Sequence, residues 1–268
     1  MQRSEHFRPL VAIVFALFFT MTLATGSHAQ LSAESYCEVV VEIGREGVEY
    51  LGQVDALTQK YCDDPNFFAA YCVEPNLFLL EKAALEAESD EMVSAVLSSH
   101  GTTATECVAF LNENREAIEQ YRDSDPNVKE AFDSLSSQIN KLSEKLKVPS
   151  YCLLAIANVR QQSADLAELI ALAKGHSGDP NSFLQQEQAK RKELDAGKTA
   201  LLESFDMSSH EYLTFMSKNK QAVEAFFKAH VHIKDAVDAF SAELHSLLEE
   251  YETLRSSIVK QSEAELPG

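Results

Sequence analysis

Two stretches of the chain, 105 residues apart, share one pattern of apolar and polar residues. Residues 103–142 read TATECVAFLNENREAIEQYRDSDPNVKEAFDSLSSQINKL, and residues 208–247 read SSHEYLTFMSKNKQAVEAFFKAHVHIKDAVDAFSAELHSL. Aligned without a gap from their third residues onward, they carry the same amino acid at ten of 38 positions. Helical sequences share apolar spacing, so part of this match is trivial. Apolar spacing does not explain why the polar positions also match in order. This match predicts an internal duplication.

Both stretches open on the same helix-start signal. Thr103-x-x-Glu106 and Ser208-x-x-Glu211 are capping boxes, in which the hydroxyl and the glutamate each accept a backbone N–H that lacks a helical partner. A helix is therefore predicted to begin directly after Thr103 and directly after Ser208.

The match extends toward the N-terminus. Ser35-Tyr36-Cys37 is repeated as Ser150-Tyr151-Cys152, so the first copy carries ten extra residues near 67–76. The predicted fold class is all-α, a tandem duplication of two four-helix up-down repeats. The first repeat spans 30–149 and the second spans 150–262.

The apolar positions support helices almost throughout, because they recur at steps of three and four residues and no alternating strand pattern appears. Prolines, glycines and serine clusters separate the periodic stretches. The predicted helices are 35–61, 75–98, 104–122, 126–147, 151–174, 180–203, 209–228 and 231–262, followed by a polar tail at 263–268.

The N-terminus has the features of a secretory signal peptide. Arg3 and Arg8 precede an apolar run at 10–24, and Ala29 closes a small-x-small cleavage site. A membrane anchor is the alternative, but 15 apolar residues fall short of the roughly 20 that span a bilayer. Residues 1–29 are therefore predicted to be removed, and the mature protein is predicted to be periplasmic or secreted, with no stable membrane anchor.

The charge restricts the partners. With 23 Lys and Arg against 42 Asp and Glu, the formal net charge is −19, which excludes the clustered basic surface that nucleic acids require. A hydrophobic content of 45% excludes a disordered chain. A protein partner is expected, and a cationic one fits this charge.

Five cysteines are unevenly placed, and an oxidising compartment would pair four of them. Cys62 and Cys72 flank the first predicted loop and would share one end of the repeat, which predicts a Cys62–Cys72 disulfide. Cys37 and Cys107 stand near helix starts at the opposite end, which predicts Cys37–Cys107. Cys152 would remain unpaired.

Histidines concentrate in the second repeat. In an up-down arrangement His176, His230 and His232 share one end, where they could hold zinc or copper. The spacing is poor, because His230 and His232 are two residues apart and point to different faces of a helix. They are weak candidates, loop or surface histidines are the alternative, and no metal or other cofactor is predicted.

Catalytic motifs are missing. The sequence has no GxSxG, HExxH, P-loop or glycine-rich dinucleotide turn, so no enzymatic activity and no catalytic residue is predicted. Phenylalanines on the apolar faces are typical of a packed core, although a helical bundle can also hold an apolar ligand.

Three functions follow from these features. The first is an exported, acidic, non-enzymatic interaction or scaffolding module of the cell envelope. The second is a carrier of an apolar ligand or cofactor between bundle helices, and the third is a metal-binding protein that uses the histidines of the second repeat.

Overall fold

A computed structural model describes residues 31–176, 180–205 and 207–264. Within them every regular element is an α-helix, which confirms the predicted all-α class. The predicted signal peptide, 1–29, lies outside the described residues, as does most of the predicted tail at 263–268.

Eight helices occur in the described residues. In chain order they are α1 Ala33–Asp63, α2 Pro65–Val73, α3 Asn76–Ser99, α4 Ala104–Ser124, α5 Pro126–Gly175, α6 Pro180–Ser204, α7 Ser209–Ala229 and α8 Val231–Ala264.

The described chain divides into two compact units. The first unit contains 31–57 and Leu80–Leu146, and the second contains Thr58–Leu79 and the residues from Lys147 onward. The predicted repeats, 30–149 and 150–262, have nearly the same boundary near the middle of α5. They differ from the units in one respect, since Thr58–Leu79 belongs to the second unit.

The core of the first unit lies between segments of α1, α3, α4 and α5. One buried cluster surrounds Cys37, Val93 and Ile118, and another surrounds Leu51 and Ile139. Each cluster gathers apolar residues from helices that are distant in sequence, so burial of their amphipathic faces stabilises this unit.

A glycine of α1 lies directly against a leucine of α5 within this unit. A Cβ atom at Gly44 would lie only 3.0 Å from Cδ1 of Leu135. Real Cβ contacts are rarely this short, so a larger residue at Gly44 would force Leu135 to move.

The fifth helix differs from the prediction. Helices at 126–147 and 151–174 were expected because Pro149 lacks a backbone N–H and usually ends a helix. The structure instead has one helix of 50 residues that contains Pro149. Leu146 before the proline and Leu153 after it are both buried, and this packing offsets the lost hydrogen bond.

The stretch between the predicted helices 35–61 and 75–98 also differs from the prediction, because the expected loop contains helix α2. The side chain of Asp64 accepts the N–H of Asn66, and Pro65 occupies the first turn, where its missing N–H costs nothing. Phe68 is buried while Phe67 is exposed. Adjacent residues of a helix point to different sides, so the two rings cannot both face one core.

Helix α2 and its flanks are fixed in the core of the second unit. The hydroxyl of Tyr71 donates to the carbonyl oxygen of Leu153 at 2.7 Å, in a buried position. The rings of Phe78 and Phe205 are stacked with centroids 5.6 Å apart. These contacts explain why Thr58–Leu79 groups with this unit.

Both predicted capping boxes are formed. The backbone N–H of Glu106 donates to the hydroxyl of Thr103 at 3.3 Å, and the glutamate accepts the backbone N–H of Thr103 at 2.8 Å. The corresponding distances for Ser208 and Glu211 are 3.2 and 2.9 Å. Two helix starts 105 residues apart therefore have the same geometry.

Helices α4 and α7 also share a kink. Asn114 has φ −123° and ψ 24°, and Asn219, 105 residues later, has φ −121° and ψ 21°. In both helices the asparagine Nδ2 donates at 3.1 Å to the carbonyl oxygen four residues earlier, which belongs to Phe110 or Phe215. This side-chain bond replaces regular helical geometry at the same position of each helix.

Candidate binding surfaces

A buried charged network connects α6 and α8 in the second unit. Glu187, only 4% exposed, accepts hydrogen bonds from the Tyr251 hydroxyl, from Nε of Arg191 at 2.9 Å and from Nε of Arg255 at 3.0 Å. Burial by itself would raise the pKa of Glu187, but these three hydrogen bonds outweigh it and hold the pKa below its usual range. Glu187 is therefore ionised near neutral pH.

A cleft adjoins this network on the side of α5. Its volume is about 270 Å³, and α5, α6 and α8 contribute its walls. Five leucines form most of the apolar lining: Leu166, Leu169, Leu194, Leu244 and Leu248. Leu169 is buried beside Tyr251 and Ile170, with Leu166 and Leu194 packed against them, so the lining is anchored in the core.

Polar side chains line the same cleft. Gln162, Asp165, Arg191 and Asp195 contribute to it. Burial raises the pKa of Asp165, and the carboxylates of Glu168 and Asp195 add to this rise. Arg191 already has an anionic partner, because it is bonded to Glu187. The other charged groups of the lining are the carboxylates of Asp165 and Asp195.

The first unit has a related pair with the charges exchanged. Lys82 and Glu86 stand 105 residues before Glu187 and Arg191. Nζ of Lys82, also a buried residue, lies 3.1 Å from Oε1 of Glu86, which also accepts the Tyr50 hydroxyl at 3.1 Å. Each unit therefore contains an ion pair between residues four apart in a helix, and the first residue of each pair is buried. The two pairs are 105 residues apart in the sequence.

The structure places His230 and His232 together but gives them protein partners. Nε2 of His230 lies 2.9 Å from the Asp63 carboxylate, and Nε2 of His232 lies 2.8 Å from the carbonyl oxygen of Cys62. The His230 and His232 ring centroids are 6.2 Å apart. These contacts hold the end of α1 against the start of α8 within the second unit.

His176 has a different environment, with its ring centroid 5.4 Å from that of Phe183. Across the described residues, no three His, Cys, Asp or Glu side chains come together in a way that could hold a metal ion. The three histidines proposed as weak candidates therefore form no such cluster, and the metal-binding alternative gains no support.

All five cysteines fall within the described residues, and all are free thiols. The structure thus contains neither Cys62–Cys72 nor Cys37–Cys107. Cys37 and Cys107 do belong to one buried cluster, as their helix-end positions suggested. Both pairings stay predictions, to be tested by peptide mapping of the oxidised protein.

The thiols are shielded from reaction. Burial raises the pKa of Cys62 and of Cys152 to about 12, and the pKa of Cys72 to about 11. Because the thiolate is the reactive form, these groups are poor nucleophiles near neutral pH. Arg160 opposes the rise at Cys72, which is the least buried of the five.

Two large apolar side chains are exposed among alanines and acidic residues on α3 in the first unit. Leu80 is 65% exposed and Met92 is 48% exposed. Alanines 83, 84, 87 and 95 are exposed between or beside them, as are the acidic residues Glu88, Asp90 and Glu91. We call this surface, residues 80–95 of α3, the α3 surface. It explains the weak amphipathicity of the α3 sequence, because apolar residues lie on its outer as well as its inner side.

None of the helices in the described residues combines the length and apolar composition needed to cross a bilayer. No protein-family model, curated protein sequence or solved structure matches the chain.

Proposed function

We propose that this protein is an exported, non-enzymatic interaction module that binds a cationic protein partner. The observation that carries the proposal is the α3 surface, where apolar side chains are exposed among acidic ones. Apolar patches rimmed by polar residues are typical of interaction sites. A catalytic role has no comparable support, since the buried ionisable groups described above are bonded to one another or kept protonated by burial.

The chemistry of the α3 surface specifies a basic amphipathic helix as the partner segment. Leucine or similar side chains of the partner would cover Leu80 and the alanines, while lysines or arginines would face Glu88, Asp90 and Glu91. From Leu80 to Met92 the helix rises about 18 Å, which three to four turns of a partner helix would cover. The formal charge of −19 would attract such a segment at long range.

Export is the second part of the proposal. The basic residues, apolar run and small-x-small site of residues 1–29 support a cleaved signal peptide. The mature protein would then act in the periplasm or outside the cell, as a scaffold of an envelope process.

Tandem duplication is the third part, with repeats at 30–149 and 150–262. Two pairs of aromatic residues support it. The Tyr36 and Phe110 ring centroids are 5.6 Å apart, and those of Tyr151 and Phe215, which occupy the matching positions, are 4.3 Å apart. The matching capping boxes and asparagine kinks described above add to this support.

Titration with a designed peptide tests the partner proposal. The probe is an 18-residue peptide of leucine and lysine whose leucines recur at steps of three and four, and calorimetry gives its affinity. We expect one-to-one binding, weakened at least tenfold when Leu80→Gln is combined with Met92→Gln. Burial of even part of a leucine side chain contributes enough binding free energy to account for a tenfold change in affinity.

A matched control separates the α3 surface from general attraction between opposite charges. Leu213 and Met216 on α7 are 76% and 42% exposed, so Leu213→Gln with Met216→Gln makes the same chemical change elsewhere. The control should change the affinity less than twofold. Equal losses in the two double variants, or no binding to the unmodified protein, would overturn the proposal.

A further inference from the structure

The cleft of the second unit, between α5, α6 and α8, is separate from the α3 surface. Its lining is mostly leucine, and its polar residues lie beside the Glu187 network. Small-molecule sites in helical proteins have this composition, with an apolar lining and a few polar groups that fix the orientation of the ligand.

The charges of the cleft favour a cation. Asp165 and Asp195 form no ion pair with any described residue, and Asp165 accepts only a neutral hydrogen bond, from Gln161 at 2.7 Å. The one cation in the lining is Arg191, whose guanidinium donates to Glu187 and Tyr251. The charge of Lys190 also acts on Asp165, but the Lys190 ammonium is paired with Glu168 and Glu193. The two aspartates therefore line the cleft without an ion-pair partner of their own.

We propose that this cleft binds an organic cation with an apolar body, of the primary alkylammonium class. The ammonium group donates to Asp165 and Asp195, and the alkyl chain packs against the five leucines. Such a ligand neutralises the repulsion between the two carboxylates while it covers the apolar lining. A carboxylate ligand would add to that repulsion, and a small cation without an alkyl chain would leave the leucines exposed.

Three probes, of which the second and third each change one property of the first, test this assignment by isothermal titration. They are n-octylammonium, octanoate, which has the opposite charge, and methylammonium, which lacks the alkyl chain. We expect saturable one-to-one binding of n-octylammonium and at least tenfold weaker binding of the other two. Comparable affinity for octanoate, or no binding of n-octylammonium at millimolar concentration, would overturn the proposal.

Variants then locate the site. Asp165→Asn and Asp195→Asn keep the side-chain size and should each lower the affinity for n-octylammonium about tenfold. Asp133→Asn, a matched change at an exposed aspartate of the first unit, should change it less than twofold. If both cleft variants bind like the unmodified protein, the cation is not held here. Peptide binding at the α3 surface should be unaffected by these variants, so failure of either proposal can be recognised separately.

Discussion

Replacement of Glu187 by glutamine tests the buried network of the second unit. The glutamine keeps the size of the side chain and an oxygen that can accept the Tyr251 hydroxyl. It removes the negative charge that Arg191 and Arg255 face at 2.9 and 3.0 Å. The change therefore isolates the electrostatic part of the network.

The magnitude follows from the two arginine contacts. A hydrogen bond to a charged group contributes about 1.5–3 kcal/mol, against about 1 kcal/mol for a neutral one. Arg191 and Arg255 are about half exposed, so water recovers part of each loss. We expect Glu187→Gln to lower the free energy of unfolding by about 2 kcal/mol at pH 7.

Urea unfolding followed by circular dichroism at 222 nm gives this quantity. With an m-value of about 2 kcal/mol per molar urea, the midpoint of the affected transition should fall by about 1 M. Glu193→Gln is the matched control, because Glu193 is exposed on the same helix and pairs with Lys190. Its effect should stay within about 0.5 kcal/mol.

The pH dependence gives an independent check. Since the network lowers the folded pKa of Glu187 below the unfolded value, the stabilisation is complete above that unfolded value of about 4.3. It disappears as the pH falls through the folded pKa. The difference in the free energy of unfolding between the native protein and Glu187→Gln should therefore decrease below about pH 4. A difference that stays constant from pH 7 to pH 3, or one below about 0.5 kcal/mol at pH 7, would show that the Glu187 charge does not stabilise this unit.

Three further predictions concern the second unit, the helix starts and the thiols. In urea unfolding, Tyr71→Phe should lower the free energy of unfolding by about 1 kcal/mol, because it removes a buried hydrogen bond to the Leu153 carbonyl; no loss would contradict that bond. Thr103→Ala and Ser208→Ala should each lower the free energy of unfolding by about 1 kcal/mol. The two losses should agree within about 0.5 kcal/mol because the capping boxes have the same geometry, and unequal losses would argue against equivalent caps. In the reduced native protein at pH 8, iodoacetamide should modify the partly exposed Cys72 before the buried Cys62 and Cys152, and burial also raises the pKa of the latter two further. Peptide mass mapping gives the order, and earlier labelling of Cys62 would contradict it.

The helix pattern could be predicted well where local signals are strong. The starts of α4 and α7 follow from Thr103 and Ser208, because a capping box is a property of four consecutive residues. The prediction separated 126–147 from 151–174 because Pro149 is unfavourable locally. Burial of residues on both sides of the proline, which a local pattern does not contain, keeps the helix continuous.

Helix α2 was missed for a related reason. Its sequence, PNFFAAYCV, is apolar on all sides and gives no amphipathic stripe. Its partners, among them Leu153 and His232, are more than 80 residues away. Such contacts are decided by tertiary packing.

The cleft was also beyond sequence reasoning, because its walls come from three helices far apart in the chain. One signal was present: Glu187 follows Phe183 and Leu184 at helical spacing, so it lies beside the apolar side of α6. A single acid in that position indicates a buried partner, although it does not identify Tyr251 or Arg255. The net charge favours a cationic partner, which stays a prediction, and it indicates no location for the binding site.

Chemical-shift mapping with the leucine–lysine peptide shows directly which residues of the protein contact a basic helix. In a titration of the ¹⁵N-labelled mature protein, we expect the largest shifts on residues 80–95 of α3 and saturation at one peptide per chain. Shifts spread evenly over the acidic surface, or concentrated on another helix, would contradict the claim that the α3 surface receives the partner.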